Sequence, residues 1–106
     1  VAQSIDLPTM IFDEIDTGIS GEPAKQVGIL LQQLGKTKQV ICITHQAQIA
    51  AKGDSHLFVF KTQTPQGTHT DIMSLSKEER IMHIAQMIGG DPPSKSALES
   101  AKELLR

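Results

Sequence analysis

The chain has no tryptophan, no tyrosine and only three phenylalanines in 106 residues, so its core must be built largely from aliphatic side chains. A single cysteine, Cys42, excludes an internal disulfide. It lies inside the apolar run Val40-Ile41-Cys42-Ile43 and reads as a buried small hydrophobe in a reducing compartment rather than a reactive thiol. No apolar run approaches the ~20 residues needed to span a bilayer, and no signal-peptide pattern opens the chain, so no membrane partner is expected. Neither charge dominates: 10 Lys and Arg stand against 12 Asp and Glu, a formal net charge of −2, which gives no electrostatic case for nucleic-acid binding by this segment. The phosphate-cradling pattern G-x-x-x-x-G-K-[ST] is also missing. His56, His69 and His83 fall at irregular spacing, which excludes a recognisable zinc pattern. There are no repeats and no low-complexity tracts, and residues 1–106 read as one unit.

What is present is an α/β pattern. Met10 to Asp13 follows Leu7-Pro8, so a strand begins just past a proline that cannot donate to a sheet ladder. The run does not alternate, as expected for a strand covered on both faces of a parallel sheet. Ser20 is placed to cap a helix with Pro23 near its first turn. Ala24, Val27, Leu30, Leu31 and Leu34 recur at helical spacing, and Gly35 supplies the stop. A second apolar strand runs from Gln39 to Thr44, which completes a βαβ unit with a parallel, right-handed crossover.

Thr44 or His45 is placed to cap a short helix over Gln46 to Ala51, ended by Gly53-Asp54. Two further runs, His56 to Lys61 and Thr68 to Leu75, flank Thr64-Pro65-Gln66-Gly67 and predict an antiparallel hairpin at a sheet edge. Ser76-Lys77-Glu78-Glu79 is a capping box. It opens a helix with Ile81, Ile84, Ala85 and Ile88 on one face and Gly89-Gly90 at its end. After the rigid spacer Asp91-Pro92-Pro93, Ser94 caps a last helix carrying Ala97, Leu98, Ala101, Leu104 and Leu105.

The chemistry concentrates where the two parallel strands end. Loops and helix N-termini converge at the carboxyl ends of such strands, and ligands bind there. Asp13-Glu14 and Thr44-His45 both occupy such ends. Phosphoryl transfer to water needs a metal that bridges phosphates and a group that positions the water. Asp13 is placed to hold Mg²⁺ through its water shell, Glu14 to face the attacking water, and His45 to donate to a terminal phosphate. Each has a plainer reading taken alone. A strand often ends in Asp-Glu without function, a strand-end histidine is commonly a cap, and Asp16 would be a turn residue. The order of the parts favours a nucleotide site.

That order carries a resemblance. Thr9-Met10-Ile11-Phe12-Asp13-Glu14 is similar to the Walker B motif of ABC-type ATPases, Ile15-Asp16-Thr17-Gly18-Ile19-Ser20-Gly21 to the D-loop, and Ile43-Thr44-His45 to the switch-histidine loop. Transporter ATPases usually continue from Walker B with Pro-Thr-Ser-Ala-Leu-Asp. The Asp-Thr-Gly-Ile-Ser-Gly run departs from that and resembles the bacterial RecN family of SMC-like DNA repair proteins. Thr44-His45-Gln46-Ala47-Gln48-Ile49-Ala50, Met87-Ile88-Gly89-Gly90 and Ala101-Lys102-Glu103-Leu104-Leu105 extend the resemblance over nearly the whole chain.

The resemblance implies the C-terminal lobe of a P-loop, ABC/SMC-type ATPase head: a parallel βαβ core, a hairpin and two C-terminal helices. It implies ATP and Mg²⁺ as cofactors of the complete head, with Asp13 the metal-associated aspartate and Glu14 the catalytic glutamate. Asp16 matches the aspartate that communicates across a head dimer, and His45 the switch histidine. The implied partners are the N-terminal half of the same head, a second head in an ATP-dependent homodimer, and DNA through the full-length protein. The implied location is the bacterial cytoplasm, at the nucleoid.

No Leu-Ser-Gly-Gly signature precedes Asp13, and Val1 to Ile5 match the tail of the helix that follows it. The start at Val1, without methionine, points to processing or an excised boundary. The competing readings are the C-terminal part of a transporter subunit or of another SMC-like ATPase, and a non-enzymatic interaction module. Since the phosphate loop is missing, the isolated chain is expected to hydrolyse little or no ATP. Substantial, Glu14-dependent turnover in a radiolabelled-ATP assay of the chain alone would overturn that expectation.

Overall fold

The structure, a computed structural model, describes residues 8–13, 18 and 20–106. β1 (Thr9–Asp13) follows Pro8 directly, and β2 (Gln39–Ile43) pairs with it in parallel, with Thr9 opposite Gln39 and Asp13 opposite Ile43. β2 ends one residue earlier than its composition suggests, because Thr44 turns its hydroxyl onto the backbone and accepts the Gln46 N–H at 2.9 Å. Between the strands runs α1 (Gly21–Leu34), preceded by Ser20 in extended conformation; the Ser20 side chain makes no capping hydrogen bond. Gly21 has φ +64°, a left-handed conformation open to glycine and strained for other residues. At the other end Gly35 is right-handed, so α1 stops without a left-handed cap.

Phe12 of β1 and Val40 and Cys42 of β2 point to one face and pack on Ala24, Leu31 and Ile49, with Val27 and Leu34 beside them. This is the first core. Among the described residues the opposite face of the pair is bare: Ile11 is 66% exposed, Ile43 51% and Ile41 43%. The two-sided burial expected from the unbroken apolar runs is therefore absent within this chain, because α1 covers only one side of the sheet.

α2 is shorter than predicted, Ala47–Ala50, and its N-cap is Gln46 rather than Thr44 or His45. β3 (Leu57–Thr64) and β4 (Gly67–Ser74) form an antiparallel hairpin around Pro65-Gln66. Its strands run further toward the turn than their hydrophobic stretches, since the ladder continues through polar pairs such as Lys61 with Thr70. The hairpin is a separate two-stranded sheet, not an extension of the parallel pair's edge. Phe58 stacks on Phe60 and meets the His83 ring at 4.3 Å between centroids, so one face of the hairpin leans on the next helix. Leu57, Val59 and Ile72 on the other face stay exposed.

α3 (Lys77–Gly89) begins with the expected capping box: the Glu79 N–H donates to Ser76 Oγ at 3.2 Å and the Ser76 N–H donates to Glu79 Oε1 at 2.8 Å. α4 (Lys95–Leu104) starts at Ser94, whose Oγ accepts the Ala97 N–H at 3.1 Å. Ile84 and Ala85 of α3 pack with Ala97 and Ala101 of α4 as the second core, joined by Ile81, Met87 and Leu98. Small residues let the two helices approach closely. A Cβ added at Gly89 would lie 2.9 Å from Ala97 Cβ, a distance that forces backbone to move.

Two outcomes follow from these contacts. Gly89→Ala is expected to destabilise the chain by about 1–2 kcal/mol through overpacking, measured by urea unfolding, and Ala97→Gly in the same chain should recover part of the loss. The Ser76 backbone and side-chain hydrogen bonds hold the Glu79 carboxyl below its ordinary value of 4.5. The stabilisation is thus present above pH 4.5 and lost as pH falls through the lower, folded value. Ser76→Ala should move the Glu79 titration back toward the ordinary value by NMR.

Candidate nucleotide site

Parallel pairing in register is what gathers the candidate residues. With Asp13 opposite Ile43, the carboxylate at the end of β1 and the Thr44-His45 loop beyond β2 leave the sheet at the same end. Alternation along β1 turns Phe12 into the core and leaves Asp13 exposed, on the side that carries Ile11. His45 is exposed as well, and Glu14 and Asp16 lie outside the described residues.

His45 lines an open cavity of about 490 Å³, together with Gly21 at the start of α1, Gln48 of α2, and Ser100 and Glu103 of α4. Asp13 does not line it. The structure therefore brings His45 together with the glycine that ends the Asp16-containing loop, and sets Asp13 along the same sheet end outside that cavity. Gln48 Oε1 is buried there without a hydrogen-bond partner.

Among the described residues no group of three His, Cys, Asp or Glu side chains could hold a metal. That fits the magnesium expected. Mg²⁺ keeps several waters and takes one or two carboxylates plus phosphate oxygens rather than an all-protein cage. One exposed carboxylate at the strand end, Asp13, is a donor of that kind.

The His45 loop is held from both sides through α2. On one side a Cβ added at Gly28 of α1 would meet Lys52 Cγ at 3.0 Å, Gln48 O at 3.2 Å and Ile49 Cα at 3.4 Å, so glycine permits the α1–α2 approach. On the other side Arg80 of α3 donates through its guanidinium to Ala50 O at 2.9 Å and to Gly53 O. Burial lowers the Arg80 pKa and the charge of Asp54 opposes that, but guanidinium remains charged in any case. Burial first, then the charges of Arg80 and His83, push the nearby His56 below its ordinary value. Sequence reasoning gave Arg80 no role. A signal was available: Arg80 stands four residues before the buried Ile84, on the inward stripe of α3.

The chain is similar to known proteins along nearly all of its length. It is 46% identical over 104 residues to the DNA repair protein RecN of Vibrio cholerae serotype O1, covering 98% of this chain and 19% of that protein. It is 46% identical over 107 residues to RecN of Treponema pallidum, and 48% identical over 98 residues to RecN of Rickettsia conorii. The chain spans about a fifth of the length of these curated relatives. No family model matches it.

Among solved structures, a chain from work on ATP-driven dimerization and DNA-stimulated activation of SMC ATPases superposes with a TM-score of 0.64. It is 27% identical, and the match covers 81% of this chain and 50% of that one. The Smc head domain with a coiled coil and joint from Pyrococcus yayanosii gives 0.58 at 26% identity, over 90% of this chain and 15% of that one. By sequence the chain is similar over nearly all of its length to one segment of the RecN proteins, and by fold to part of an SMC ATPase head.

Proposed function

We propose that residues 1–106 form the metal and water side of an ATPase head in a RecN-like protein acting in DNA double-strand break repair and recombination. The observation that carries this reading is the register of β1 with β2, which sets Asp13 and the His45 loop at one sheet end. Asp13 would hold Mg²⁺ through water, and the ion would supply neutralisation of the phosphate charge when nucleotide is bound. Glu14 polarises the attacking water as general base. His45 donates to the γ-phosphate and distinguishes ATP from ADP. Asp16 has the role of the aspartate that communicates with a second head.

The phosphate loop comes from the other half of the head. The exposed Ile11, Ile41 and Ile43 face supports such a partner, since a bare apolar sheet face of this kind marks an interface. ATP then sits between two heads, and its hydrolysis opens the dimer and changes DNA engagement. The acidic balance of the chain puts the DNA-contacting surface elsewhere in the protein, and the protein's place is at the nucleoid. No described helix is long and apolar enough to cross a membrane.

In the intact protein, Glu14→Gln is expected to lower ATP turnover by roughly a hundredfold or more while ATP binding persists. Asp13→Ala should remove the Mg²⁺ dependence of nucleotide binding, read by titrating labelled ATP with and without the ion. Turnover by the Glu14→Gln protein at the parent rate would sink the proposal.

A further inference from the structure

We infer that Arg80 is a positioning residue for His45, acting through the one-turn helix between them; this rests on the reading of His45 as the phosphate-facing group. The helix begins at Ala47, two residues after His45, and has Gln46 as its N-cap. Four residues cannot sustain a helix in water, because nucleation is unfavourable and there is almost nothing to propagate. Its geometry must come from its surroundings.

Three contacts supply it. Ile49 is 4% exposed and belongs to the first core. Gln32 of α1 donates to Lys52 O at 3.4 Å, a long and weak tie. The third is Arg80, whose guanidinium joins Ala50 O to Gly53 O across thirty residues of sequence. It is the charge-assisted contact of the three, and the one in which a single nitrogen, Nη2, holds two carbonyls.

Removing it leaves the C-terminal end of α2 held to α3 only by the apolar packing of Ala50 and Ala51, which does not fix its rotation. The rotation then passes directly to Gln46, whose N–H is the anchor of the Thr44 hydroxyl, and so to the residue between them. His45 is exposed, and its position follows that of its backbone, set between Thr44 and Gln46. Displacements of about an ångström in a positioned group are enough to lose much of its effect on rate.

The test uses the intact protein carrying this segment, with steady-state ATP hydrolysis and ATP binding measured for Arg80→Ala, Arg80→Lys, His45→Ala and the Arg80→Ala/His45→Ala pair. Arg80→Ala should lower kcat roughly tenfold with KM for ATP and binding stoichiometry within about twofold of the parent. Arg80→Lys should fall between, since an ammonium is a point charge without the planar fork. In the His45→Ala background, Arg80→Ala should cost less than about a further twofold, as expected for residues acting in series.

A merely structural arginine would lower binding stoichiometry together with kcat and would act equally in both backgrounds, which overturns the inference. So does an unchanged kcat in Arg80→Ala while His45→Ala is impaired, and in that case the reading of His45 stands. If His45→Ala itself turns over at the parent rate, the reading of His45 fails, and this inference with it. Should Arg80→Ala not fold, Arg80→Gln, which keeps one amide donor, carries the same comparison in both backgrounds.

Discussion

A helix of four residues has no interior: every one of its carbonyls is an end carbonyl, and few of its amides find partners within it. α2 exists because two cores close on it from opposite sides. Ile49 enters the cluster of Ala24 and Leu31 beneath the parallel strands, while Ala47, Ala50 and Ala51 lie against the α3–α4 cluster. The small alanine faces leave room for close approach, and Gly28 does the same from α1. All contact between the βαβ unit and the C-terminal helices thus runs through or beside one turn of helix, which starts at the loop carrying His45.

The unevenness of burial is the second consequence of that layout. Among the described residues only seven hydrophobic ones are buried, four of them alanines, and burying an alanine contributes far less than the ~1.5–3 kcal/mol of a large aliphatic side chain. Meanwhile Ile11, Leu57, Val59 and Ile72 are each more than half exposed. A chain whose largest aliphatic groups sit outside and whose smallest sit inside is organised around surfaces that face something else. A resemblance to one segment of a much longer relative accounts for this arrangement without any defect in packing.

Much of the fold was legible because local signals agreed with one another. The Ser76 box, the Ser94 cap and the Pro65-Gly67 turn each name their own geometry through side-chain hydrogen bonds or restricted backbone angles. The two helices appear within a residue or two of where periodicity places them, while the first hairpin strand runs on to Thr64, past the expected end at Lys61. What the sequence hid was non-local. Nothing in Ile11-Phe12 or Val40-Ile41 tells whether a second layer covers them, since an unbroken apolar run looks the same whether its covering layer lies inside the chain or beyond it. The hairpin's independence from the parallel pair depends on pairing across the fold, which no turn residue encodes. At the candidate site the strand-end positions of Asp13 and His45 were readable from the two apolar runs. The tie from Arg80 to Ala50 and Gly53 was not, because an arginine in a Lys-Glu-Glu-Arg stretch reads as solvated surface.

Why an arginine, and not an apolar side chain, should join α3 to α2 follows from what it caps. Ala50 O already accepts the Gly53 N–H at 3.3 Å; Arg80 adds a charged donor to it and another to Gly53 O at the exposed end of the turn, and hydrogen bonds from charged donors are stronger than neutral ones. Both carbonyls are met by the one nitrogen Nη2, whose two N–H bonds lie in the rigid guanidinium plane, whereas an ammonium would be free to rotate; the guanidinium also stays charged even as burial disfavours the charge. Asp54, on the same turn, offsets that penalty from nearby. The cost of holding a partly buried cation is repaid by a direction: the fork sets the orientation of α2, which a greasy contact would leave free to slide. On the role proposed for His45, such an orientation matters more to its loop than the extra stability of a larger core.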